Sequence, residues 1–123
     1  MATLLLYQFS QGEVVQLQTL LGFLPEVKVI PVERRAYGMT IGDVLAGKTP
    51  PPMAFGPSMD RKLLVIAQAE GELFSMLLSA VAQVTRGQNI LRAMVTETNL
   101  GWSGSYLYQH LLEEEAELDA LNR

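Results

Sequence analysis

A chain of 123 residues with 49% apolar and 18% charged side chains has the size and composition of one domain that buries its own core, which excludes a disordered chain. Its net charge of −4 is local: Glu113, Glu114, Glu115, Glu117 and Asp119 supply five of the thirteen acids, leaving eight against nine bases, a balance from which nucleic-acid binding, which needs a clustered basic face, loses support. With no cysteine, disulfides, zinc–thiolate sites, iron–sulfur clusters and cysteine nucleophiles are excluded, which fits a cytoplasmic protein.

The elements follow in two similar halves. Leu4 to Tyr7 predicts a short apolar strand, too short for a signal-peptide core or a membrane span. A helix follows, with Val14, Leu17, Leu21 and Leu24 on one stripe and Ser10 and Glu13 at capping-box spacing. Val27 to Val32 returns as a strand, and Thr40 to Ala46 is a short helix, Thr40 and Asp43 at capping spacing and Gly47 as its stop. The second half repeats the order. A strand at Leu63 to Ile66 leads to a helix striped by Leu73, Leu77, Ala80, Val81 and Val84, then a strand at Ile90 to Val95. Ser103 or Ser105 starts a last helix with Leu107, Leu111, Leu118 and Leu121 on its expected buried stripe.

The expected organisation is one domain, 1–123, with halves 3–47 and 62–121 joined by a proline-rich linker, 48–61. Four of the six prolines lie between Pro50 and Pro57, and Met53 and Phe55 are expected to pin this crossing to the core. The fold class is α/β (α+β). A ferredoxin-like order of two β-α-β halves is expected, giving one antiparallel sheet with helices on one face and an extra C-terminal helix. The alternative is a small parallel three-layer α/β sheet.

The candidate site is the last strand-to-helix junction. Thr96, Thr98 and Asn99 stand just past a strand, and the only tryptophan, Trp102, follows. Hydroxyls and an amide there suit a small polar ligand or a partner's backbone, helped by the positive end of the next helix. The same residues equally suit a turn and a helix cap with Trp102 packed beneath.

The run Arg92-Ala93-Met94-Val95-Thr96-Glu97-Thr98-Asn99, then Trp102, Leu107 and Leu111-Leu112-Glu113, resembles the signature of the bacterial family called domain of unknown function 3783. Leu4 to Ser10, Thr40 to Leu45 and the strand after Phe55 resemble its longer members. Arg92 stands where the family commonly has Lys, Thr98 where it has Pro, and Ser103-Gly104 where a helix starts with Thr-Leu. The resemblance implies a bacterial source and a small α/β domain, and implies no activity.

Other motifs carry less. Gly42 to Thr49 spells a phosphate-loop pattern, but the proline triplet after Thr49 forbids the helix that motif requires. Gly101 to Gly104 spells Gly-x-x-Gly, yet follows a strand and carries no basic residue. His110 is the only histidine, so no His-pair metal site forms within one chain, and it reads as a packing residue at the stripe's edge. The glutamates after Leu112 read as a solvated helix face. The methionines read as core fillers, with Met53 and Met59 beside the linker as an adaptable contact surface.

The reading is a noncatalytic domain that binds a protein partner or assembles with itself as a homodimer, through strand edges and linker residues. The alternative is a sensor for a small polar metabolite at Thr96, Thr98, Asn99 and Trp102. No catalytic residue, metal or cofactor is expected, and neither nucleic acid nor membrane is an expected partner.

Overall fold

The computed structural model describes residues 1–52 and 58–122. Met53 and Phe55, expected to pin the linker, lie outside the described residues. The strands are β1 (Ala2–Tyr7), β2 (Val27–Val32), β3 (Leu63–Ala67) and β4 (Leu91–Met94). The helices are α1 (Gln11–Leu21), α2 (Ile41–Leu45), α3 (Gly71–Thr85) and α4 (Gly104–Leu121). Short 3-10 turns occupy Arg34–Ala36 and Asn99–Gly101.

The four strands make one mixed sheet in the order β2-β1-β3-β4. β1 pairs parallel with β2, and β3 parallel with β4, while β1 and β3 meet antiparallel with Leu5 opposite Val65. This corrects the expected ferredoxin-like arrangement, because each β-α-β unit closes on itself as a parallel crossover rather than contributing to an antiparallel sheet. The alternative had the layers right and the pairing wrong for the central strands.

Burial explains the layering. β1 and β3 are apolar at successive positions, so both faces need cover. Leu4, Leu6, Leu64 and Ile66 pack beneath Val14 and Leu17 of α1 and Leu77 and Val81 of α3. Leu5, Tyr7, Leu63 and Val65 face the other way, against Ile41 and Val44 of α2 and Leu107 and Tyr108 of α4. Met59 joins this second core at 4% exposure, so it is not the surface contact the sequence suggested.

The caps follow their residues. Ser10 and Glu13 form the reciprocal capping box, Thr40 accepts from the Asp43 N–H, and Ser103, not Ser105, caps α4 through the Tyr106 N–H. One expectation fails on α4. Leu107 is buried, but Leu118 and Leu121 are 60% and 80% exposed. An 18-residue helix is about 27 Å long, whereas the six residues of β1 span about 20 Å, so the last turns overhang the sheet.

Candidate functional site

The junction after β4 is built around Asn99, which is buried at 7% exposure. Its Oδ1 accepts from the Thr96 N–H at 2.8 Å, and its Nδ2 donates to the Met94 carbonyl at 2.9 Å. The Asn99 N–H donates in turn to Thr96 Oγ1 at 3.1 Å. Thr96 and Asn99 are therefore brought together, but toward each other's polar groups. Thr98 is exposed, and its side chain does not cap the 3-10 turn.

Trp102 is tied to this turn by its backbone: its N–H donates to the Asn99 carbonyl, and its carbonyl accepts from the Ile41 N–H at 2.8 Å. The junction is thus stitched to the start of α2. The indole lies edge-on to Tyr106 and His110, with centroids 4.8 and 4.9 Å apart. His110 bonds Glu114 at 2.9 Å. Sequence reasoning treated these residues one by one. The four-residue spacing of Trp102, Tyr106, His110 and Glu114 was the signal that they share one helical face.

The strand leading into the junction has an open side. The Leu91 N–H donates to the Lys62 carbonyl and the Val95 N–H to the Ile66 carbonyl, so residues 91, 93 and 95 direct their backbone groups at β3. By alternation Arg92 and Met94 direct theirs outward. Among the described residues, the Ile90 carbonyl, both backbone groups of Arg92 and the Met94 N–H have no partner. Two shallow hollows of about 130 Å³ each run beside this edge on the α3 side, lined chiefly by Phe74, Leu78, Val81, Ile90, Arg92 and Met94. Arg92 is exposed and makes no ion pair among the described residues.

The segment entering β4 is pinned. Arg61 donates to the Asn89 carbonyl at 2.8 Å and to its side chain at 2.9 Å, and pairs with Glu115 at 2.9 Å. Lys62 meets Gln88 at 2.5 Å and Glu13 at 3.4 Å, and Gln88 also donates to Glu13. Burial pushes the Glu13 carboxyl up, but the Ser10 amide and hydroxyl and the Lys62 ammonium outweigh it and hold the group below the ordinary carboxylate range. The hollow at this end, about 460 Å³, is lined by Gln8, Met59, Lys62 and Gln88 among others. Both of its cations, Arg61 and Lys62, are already paired with acids.

Beneath the junction Tyr7 is fully buried, and its hydroxyl has no hydrogen-bond partner among the described residues. Burial, and then the neighbouring Tyr37, raise its phenol well above the usual value. Its ring lies so close to Gly104 that any Cβ there would collide with it. Among the described residues no group of three or more His, Asp or Glu is placed to hold a metal. Among the described residues, no helix is long and apolar enough to cross a membrane.

This geometry places an ordered β-α-β-α unit around an exposed strand edge, the class of small α/β domain that the resemblance implies. Residues 62–118, from β3 into α4, match the model of the family described as Domain of unknown function (DUF3783). The match includes β4, its flanking hollows and Asn99, and leaves β1, α1, β2 and α2 outside. No curated protein and no solved structure matches the chain.

Proposed function

We propose that this protein is a noncatalytic interaction domain that recruits a protein strand along β4. The observation that supports this is the run of four unpartnered backbone groups from Ile90 to Met94 beside an apolar hollow. Unpaired strand edges are templates for another chain, and flanking hollows supply side-chain selectivity. The sensor alternative draws less support, because Thr96 and Asn99 spend their polar groups on one another and on Met94.

The test is a native mass spectrum of the protein isolated gently from its source cells, beside an Arg92→Pro variant. A partner or second copy retained by the wild type and lost in the variant is the expected result. A complex that survives Arg92→Pro, or a discrete small adduct on an otherwise bare monomer, would overturn the reading.

A further inference from the structure

In a parallel ladder, one residue of the neighbouring strand donates its N–H to the carbonyl of residue i−1 and accepts from the N–H of residue i+1. Around Val95, the Asn99 side chain does both: it donates to the Met94 carbonyl and accepts from the Thr96 N–H. Its amide therefore occupies the place that one residue of a parallel fifth strand would take. The groups left open on the same edge are the Ile90 carbonyl, the Arg92 N–H, the Arg92 carbonyl and the Met94 N–H. These make two further complete parallel bridges, centred on Leu91 and Ala93, with none left over.

An antiparallel strand fits less well. Its residue opposite Met94 would offer an N–H to a carbonyl that Asn99 already fills, and its residue opposite Ile90 would face an N–H that is bonded to the Gln88 carbonyl. The count of open groups thus selects one direction.

Side chains select the sequence. On the α3 side the guest residues lie opposite Ile90, Arg92 and Met94. The first and third meet the apolar hollows, lined by Leu78 and Val81 at one end and by Phe74 and Met94 at the other. The middle one meets Arg92, which has no ion-pair partner among the described residues. We propose that the β4 edge binds an extended peptide running parallel to β4 with the pattern apolar–x–acidic–x–apolar, and that the Asn99 amide is the fixed stop that sets its register. This rests on the interaction reading above and adds to it the partner's direction, charge and spacing.

The experiment uses the full chain and a capped peptide, Thr-Val-Thr-Glu-Thr-Val, which ends short of the place the Asn99 amide occupies, followed by titration and by amide exchange at Arg92 and Met94. The expected result is binding that slows both amides. N-methylation of the two threonines flanking the glutamate should weaken binding at least tenfold, since their N–H groups reach the Ile90 and Arg92 carbonyls. N-methylation of the glutamate itself should leave binding unchanged, because a parallel guest turns that N–H to solvent. Replacing the peptide's glutamate by lysine should weaken binding about tenfold, and Arg92→Glu should reverse that preference. The opposite N-methylation pattern would overturn the parallel direction. Absence of binding at millimolar peptide, or protection confined to α4, would overturn the proposal. If the complex from source cells were still lost in Arg92→Pro, that failure would belong to the peptide pattern and not to the interaction domain.

Discussion

The two edges of this sheet face the same hazard and meet it differently. Both lie beside an apolar hollow: about 180 Å³ next to β2, lined by Ile30, Val32, Ala36, Met39 and Val44 among others, and two of about 130 Å³ next to β4. Hydrophobicity therefore does not distinguish them. The backbone does. The Ala2 N–H donates to the Glu26 carbonyl, so residues 28, 30 and 32 face β1, and Val27, Val29 and Pro31 face outward. Pro31 sits where its missing N–H costs no bond to β1 and denies one to any newcomer. The Val27 N–H is spent on the Leu24 carbonyl. On β4 no proline intervenes, two complete bridges stay open, and closure comes only beyond Met94, from the Asn99 side chain. One edge is blocked by a residue that cannot donate; the other is terminated by an amide that imitates a strand.

Changes at Asn99 strain that comparison most. Asn99→Ala leaves the Met94 carbonyl and Thr96 N–H without partners, and is expected to cost about 2–3 kcal/mol in chemical denaturation. A loss below about 0.5 kcal/mol would mean that the junction does not depend on the amide. At the other end of β4, Glu13→Gln removes the charge that faces Lys62 while its amide oxygen can still accept from the Ser10 N–H, for about 1 kcal/mol at neutral pH. Because the folded carboxyl lies below its ordinary value, its contribution is fully present above the ordinary carboxylate range and is lost as pH falls through the lowered value. Denaturation midpoints of wild type and variant should converge on acidification, and a gap that widened would contradict the assignment.

Arg92→Pro makes β4 resemble β2. Its N–H faces outward, so the cost in stability should stay near 1 kcal/mol while strand recruitment is lost. Retained recruitment would place the contact elsewhere. The smallest effect belongs to the overhang: changing both Leu118 and Leu121 to Glu removes apolar groups that are already 60% and 80% exposed, and should alter stability by less than about 0.5 kcal/mol. A larger loss would show that a further chain covers α4.

Much of the frame was legible from residues alone. Ser10 with Glu13 and Thr40 with Asp43 mark helix starts because side-chain oxygens must satisfy free amides there, while the last helix could start from Ser103 or Ser105 until the structure chose Ser103. The apolar runs at Leu4 to Tyr7 and Leu63 to Ile66 marked strands. Their pairing was not legible, since a run of leucines and valines reports burial and says nothing of which neighbour lies beside it or in which direction. The Leu107, Leu111, Leu118 and Leu121 stripe gave a face of α4, but not how far the sheet extends beneath it. Asn99 was found as a candidate by its position. Whether its amide meets a ligand or its own backbone depends on the chain's path from Met94 to Gly101, which composition and spacing do not encode.

The central claim is that β4 is an open edge closed at one end by Asn99, and amide exchange on the free monomer tests it most directly. Arg92 and Met94 should exchange close to the rate of unprotected amides, while Leu91, Ala93 and Val95 are slowed by β3 and Thr96 is slowed by Asn99. Arg92 and Met94 amides as slow as that of Ala93 would contradict the account, because the edge would already be covered.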